Sequence, residues 1–209
     1  MNISLSNTGK RYNREWIFRK LTYNFLQGRS YAITGANGSG KSTLLQIIAG
    51  AALHSEGAVD YSKIDINSKE NARIESENAY RQISFAAPYL DLIEEMTAHE
   101  FLLFHSGFKA FILPPTEILT AAGLANAAHK QIRYYSSGMK QRLKLAQAFF
   151  SDTSVLLLDE PVTNLDEDGI TLYKKLWAEN TAGRLVIVSS NDKQEYDRCE
   201  EVIAVEKFK

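Results

Sequence analysis

The chain lacks most of what would tie it to an oxidising compartment, a bilayer or a polyanion. It has one cysteine, Cys199, in 209 residues, which excludes an internal disulfide and leaves no second thiol for a zinc cluster. Cys199 reads instead as a small buried apolar side chain. No apolar run reaches the roughly 18 residues of a membrane-spanning helix, and the opening MNISLSNTGKRYNREW has no apolar signal segment. An excess of either charge is also missing: 24 basic residues face 25 acidic ones, for a net charge of −1. That balance argues against nucleic acid or an anionic membrane surface as a partner, so any partner is recognised by shape. Linkers, internal repeats and low-complexity tracts are absent. Together these absences predict a soluble, cytoplasmic chain, and 44% hydrophobic content predicts one domain with a sizeable core and room for a subdomain.

What is present begins with Gly35-Ala36-Asn37-Gly38-Ser39-Gly40-Lys41-Ser42, followed by Thr43. It fits the phosphate-binding pattern G-x-x-x-x-G-K-[ST], in which glycines let backbone N–H groups converge on phosphate oxygens. Lys41 supplies a cation for the β- and γ-phosphates, and the Ser42 hydroxyl suits Mg²⁺. The context agrees: residues 31–34 read as a buried strand entering the loop, and residues 42–51, with Gly50 near the end, as a packed helix leaving it.

Around this loop the chain changes character twice. Residues 3–5, 16–26, 31–34 and 59–64 alternate polar and apolar, which predicts an antiparallel β element beside the nucleotide-binding core. From about 90 to 150 the chain turns helical, with a helix start at Pro115, and reads as a subdomain inserted into an α/β core formed by residues 1–89 and 151–209. The final third alternates strands at 155–158, 185–188 and 202–205 with a helix at 167–180. Continuous apolar strands separated by helices predict a mostly parallel sheet covered on both faces.

The strand at 155–158 runs into Asp159 and Glu160, at the strand end where ligands of open α/β sheets bind. Asp159 suits the Mg²⁺ shell, and Glu160 suits polarisation of a water for in-line attack on a γ-phosphate. The four histidines, at 54, 99, 105 and 129, show no ligand spacing and read as non-catalytic.

Tyr135-Ser136-Ser137-Gly138-Met139-Lys140-Gln141-Arg142 opens a helix just upstream of that strand. It resembles the LSGGQ-x-x-R signature of ABC-type ATPases, and the resemblance spans nearly the whole chain, in a compact form similar to haem-exporter ATPase subunits. The resemblance implies that Ser136 and Gly138 face the γ-phosphate held by an opposing subunit, that Asn164-Leu165-Asp166 form the loop crossing the dimer interface, and that Tyr12 stacks on adenine. It further implies two MgATP sandwiched between two ATPase subunits, identical or different. A separate membrane permease would dock near residues 88–92 and hold the chain against the inner face of the membrane. Three departures stand out. Pro88 occupies the place of a glutamine that reaches the metal or the attacking water, Asn191 that of a switch histidine, and Ser137 and Met139 those of a signature glycine and glutamine. Asn191 keeps a donor but cannot become charged. Two alternatives are a soluble ABC-type ATPase switch and a degenerate ATP-binding module with little hydrolysis.

Overall fold

A computed structural model describes residues 1–64 and 71–209. In chain order the elements are β1 (Asn2–Tyr12), β2 (Glu15–Phe25), β3 (Ser30–Thr34), α1 (Lys41–Ile48), β4 (Glu56–Ile64), β5 (Asn71–Ile74), α2 (Ser76–Ala79) and β6 (Ile83–Ala86). They continue with α3 (Ala98–Ser106), α4 (Pro115–Ala121), α5 (Ser137–Phe150), β7 (Val155–Asp159), α6 (Glu167–Asn180), β8 (Leu185–Ser189), α7 (Lys193–Tyr196) and β9 (Glu201–Ala204). A short 3-10 turn, Val205–Phe208, follows.

Two sheets form. One is antiparallel in the order β2-β1-β4-β5, and the other is parallel in the order β6-β7-β8-β3-β9. The strand at 31–34, grouped by its sequence with the antiparallel element, lies instead in the parallel sheet between β8 and β9. Its residues are buried on both faces, as expected of a strand covered from two sides. The first strand extends far beyond residues 3–5, because register shifts after Leu5 carry the polar segment around Asn7, at φ 49°, through a bulge and back into pairing.

Period-2 alternation divides the parallel sheet between two cores. Val155, Leu157, Leu185 and Ile187 pack with α1 and the antiparallel sheet, whereas Leu156, Leu158, Val186 and Val188 pack with residues of α3 to α6. Among the helices, α4 begins at Pro115, α5 is capped by Ser136, and α6 starts and stops where the sequence pattern placed it. The helical stretch opens later than its composition implied. Residues 90–97 are turn and irregular chain, and α3 starts only where Thr97 and Glu100 complete a capping box. The later part of α5, including Ala146, Phe149 and Phe150, shares the cluster that contains β7 and β8 residues, so this helix packs the helical stretch onto the sheet.

The buried strand pattern gives a stability prediction. Ile187, fully buried on β8, is expected to cost about 2–5 kcal/mol on Ile187→Ala in urea unfolding. Val202→Ala, at an edge-strand site 58% exposed, should stay within about 0.5 kcal/mol. Equal losses would contradict the strand order.

Candidate functional site

The loop after β3 is shaped by glycines. Gly40 sits at φ 103°, where an L side chain is strained, and a Cβ there would collide with Ile17 Cγ2 on β2. Gly40 is also the N-cap of α1 and leaves that helix without a side-chain cap, so the first-turn N–H groups remain free for an anion. A cavity of about 220 Å³ opens here, lined by Ile17, Asn37, Gly38, Gly40, Lys41, Ser42, Thr43 and Glu160. Phosphate-loop residues and the second strand-end acid thus meet around one space. Gly35 lies below, where an added Cβ would stand 2.6 Å from the buried Ser39 Oγ.

Lys41 is 95% buried, since only 5% of it is exposed, and its Nζ donates back to the carbonyls of Gly35 at 2.8 Å and Ala36 at 3.2 Å. The ammonium has no carboxylate partner among the described residues. It is a desolvated cation satisfied only by neutral dipoles, so a polyphosphate would be a stronger partner.

Asp159 ends β7, next in the chain to Glu160, which lines this cavity. It is 1% exposed, and neither carboxylate oxygen has a hydrogen-bond partner among the described residues. A buried acid without partners is costly unless a cation or donor completes it. Its chemistry fits a hard divalent cation, and Ser42, which lines the cavity, offers a hydroxyl oxygen of the same hard type.

A second cavity of about 290 Å³ adjoins the first through Asn37 and Glu160, and adds Asn191, Glu195 and the 162–163 and 190–192 segments. Asn191 Nδ2 donates to Asn37 Oδ1 at 3.1 Å, so the residue after β8 reaches across to the phosphate loop. Glu160 occupies a left-handed backbone at φ 41°, and its N–H donates to Ser189 O at 2.9 Å. Such a conformation costs about 1 kcal/mol or more and persists where neighbours over-determine it.

The remaining candidates lie apart. Ser136 caps α5 by accepting from Met139 N at 3.2 Å, and with Gly138, Arg142, Asn164 and Asp166 it borders a separate cavity of about 360 Å³. No residue is shared with the phosphate cavity. Asp166 accepts from Gly169 N and from Arg142 Nη2, and these two bonds hold its carboxyl below the ordinary range. Tyr12 ends β1 opposite Glu15, half-exposed, with Lys10 Nζ 4.8 Å from its ring centroid, and lines neither cavity. None of the four histidines lines them either. Burial and Lys109 push the His105 imidazole down to about 4, so it is a neutral packing group.

Some participants escaped the sequence reading. Ile17 forms an apolar wall beside Gly40, and Glu206 Oε1 accepts from Ala36 N at 2.8 Å, bracing the loop from the C-terminal turn. Pro88 offers only its carbonyl, taken by Lys144 Nζ at 2.5 Å. The next side chain, Tyr89, receives a 3.2 Å hydrogen bond from the Gln46 amide, four residues after Ser42 on α1. Burial, together with the Asp159 and Glu160 carboxylates, raises the Tyr89 hydroxyl to about 12. An amide is therefore present near the position of the missing glutamine, but it comes from α1. Nothing in the local sequence around residue 88 signals this.

The family model described as ABC transporter matches residues 18–163, well over half the chain. The chain belongs to the ABC transporter family. An uncharacterized ABC transporter ATP-binding protein of Bacillus subtilis is 30% identical to this ABC ATPase over 203 residues, covering 92% of this chain and 87% of that protein. The cytochrome c biogenesis ATP-binding export protein CcmA of Xylella fastidiosa is 37% identical over 162 residues, 77% of this chain and 70% of that one. Among solved structures, a dimeric ATP-binding cassette in a post-hydrolysis state with ADP and Pi is 26% identical, with a TM-score of 0.76 and coverage of 97% and 93%. A putative ABC transporter ATP-binding protein from Pyrococcus furiosus shares the fold, with a TM-score of 0.79 at 20% identity and coverage of 100% and 99%. This ABC ATPase is accordingly an ATP-binding and ATP-hydrolysing subunit that powers a transporter. No helix among its described residues is long and apolar enough to cross a membrane.

The unpartnered Asp159 leads to a prediction with opposite signs for fold and ligand. Asp159→Asn removes a buried charge, so metal-free stability in urea should be unchanged or rise by up to about 2 kcal/mol. ATP affinity gained on adding Mg²⁺ should fall at least tenfold. A loss of stability in the metal-free variant would contradict the account of Asp159 as an incomplete ligand.

Proposed function

We propose that two copies of this ATPase close on MgATP, each phosphate loop facing the other copy's signature segment, and that the closed pair drives a separate membrane-spanning permease from its cytoplasmic face. The observation that carries this reading is the separation of the two anion-ready surfaces. Lys41 with the open start of α1 lines one cavity, and Ser136 with Gly138 lines another that shares no residue with it. Within one chain the Ser136 hydroxyl has no phosphate to meet; a second subunit supplies one. The whole chain acts as one ATPase unit, residues 90–150 forming the inserted helical part.

In this scheme Lys41 leaves the carbonyls of Gly35 and Ala36 and pairs with β- and γ-phosphate oxygens, while free N–H groups of the loop and α1 take the remaining charge. Ser42 Oγ and the Asp159 carboxylate would hold Mg²⁺, which when bound would supply neutralisation of phosphate charge. Thr43 lines the same cavity and contributes its N–H and hydroxyl. The Glu160 carboxylate accepts a hydrogen bond from the attacking water, aligns it in line with the γ-phosphate and takes its proton as the new P–O bond forms and the bond to the leaving ADP breaks. Asn191, already within reach of Asn37, donates its amide to a γ-phosphate oxygen. Tyr12, exposed at the end of β1, offers its ring to adenine. Asp166, held by Arg142, lies on the surface presented to the opposing subunit.

Three outcomes test this. Lys41→Ala is expected to lose ATP affinity without unfolding, checked by equilibrium binding and circular dichroism; unchanged affinity would sink the site. Glu160→Gln should preserve ATP and accumulate a dimer with MgATP in light scattering, and a strictly monomeric variant at high concentration would count against a homodimer. Asn191 donates without charge, so basal turnover should be weak and rise in Asn191→His, each well-aimed donor to developing charge being worth about 3 kcal/mol. Fast wild-type phosphate release, or slowing in Asn191→His, would show that the asparagine has its own working geometry.

A further inference from the structure

Glu195, which no motif singled out, is a buried acid on the wall of the cavity that holds Glu160 and Asn191. It is 4% exposed on α7, and its Oε1 accepts from Val162 N at 2.8 Å. Val162 lies in the turn directly after Glu160, and that turn is fixed from several directions. Glu160 N donates to Ser189 O, Thr163 N to Glu160 O, and Leu165 N to Val162 O. From α5, the 2%-exposed Gln141 donates to Pro161 O at 2.9 Å. Two buried side chains, Gln141 and Glu195, therefore saturate adjacent backbone groups of the turn that holds Glu160 at φ 41°. Tyr173 OH in turn donates to Glu195 O at 2.7 Å and seats α7 on α6.

The position is costly for an acid. Burial, with Asp192 and Glu160 nearby, raises its carboxyl to about 7 against the hydrogen bonds from Ser190 and Val162. A carboxyl kept where apolar packing would be cheaper points to a use. Glu195 also stands four residues after Asn191, at the other end of the short segment that reaches the phosphate loop.

We propose that Glu195 is a positioning residue for ATP hydrolysis: through Val162 N–H it locks the turn that aims the Glu160 carboxylate, and it ties that turn to the segment bearing Asn191. The inference rests on Glu160 acting on the attacking water as proposed above. Losing this lock lets the strained turn relax, which misaims Glu160 while the phosphate loop, braced separately by Glu206, keeps its shape.

The test compares Glu195→Ala and Glu195→Gln in ATP binding, steady-state phosphate release and amide hydrogen exchange at Val162. Glu195→Ala should lose at least tenfold in kcat with ATP affinity within about twofold of wild type, and should deprotect the Val162 amide. Glu195→Gln retains the acceptor and should keep both kcat and protection within about threefold. A fully active Glu195→Ala, a Glu195→Gln as impaired as the alanine variant, or a parallel loss of ATP affinity each overturns the inference. If the alanine variant does not fold, an unprotected Val162 amide in wild type or in Glu195→Gln still overturns it. A wild-type protein that binds ATP but releases no phosphate overturns the Glu160 assignment itself, a result separable from failure of Glu195 alone.

Discussion

A buried cation with no carboxylate partner among the described residues sets the terms for the rest of the molecule. Lys41 is held by two carbonyl dipoles at the base of a loop whose glycines admit backbone geometry closed to other residues. Phosphate oxygens would be stronger partners for this ammonium than two neutral carbonyls, because both members of the pair would then be charged. Asp159 is its complement, a buried anion whose oxygens have no protein partner among the described residues. β8 stands between β7, which ends in Asp159, and β3, which leads into the loop before Lys41.

The parallel sheet makes this possible. Its strands β3, β7 and β8 end on one side, delivering the phosphate loop, the Asp159–Glu160 pair and the Ser189–Asn191 segment to neighbouring positions. β7 and β8 alternate their apolar residues between two cores, so a slip by one residue would exchange the side chains packed in each. Rigid strands fix where the turns begin, and side chains from α5 and α7 fix how the turn after Glu160 continues. The signature surface, by contrast, belongs to the start of α5 and faces its own cavity.

Most of this architecture is legible in the sequence because the signals are local. The glycine pattern at 35–42, the apolar run before Asp159, the helix start at Pro115 and the cap at Ser136 each act over a few residues. Pairing between distant segments is less legible. Residues 31–34 carry no mark saying which sheet they join, and the bulge around Asn7 hides the length of β1. Contacts made by single side chains across the fold are the least legible of all. Gln46 beside Tyr89, Glu206 beneath Ala36 and Glu195 against Val162 are all set by tertiary approach, and each looks like an ordinary polar surface residue in one dimension.

The central claim is that Lys41 and Asp159 are an unfinished site completed by MgATP. Its most direct test is a crystal structure of the wild-type chain with Mg²⁺ and a non-hydrolysable ATP analogue. The account predicts Lys41 Nζ withdrawn from Gly35 and Ala36 onto phosphate oxygens, and the Asp159 carboxylate within the shell of the metal. A nucleotide bound elsewhere, or a Lys41 still folded onto its own loop with phosphate present, would contradict it.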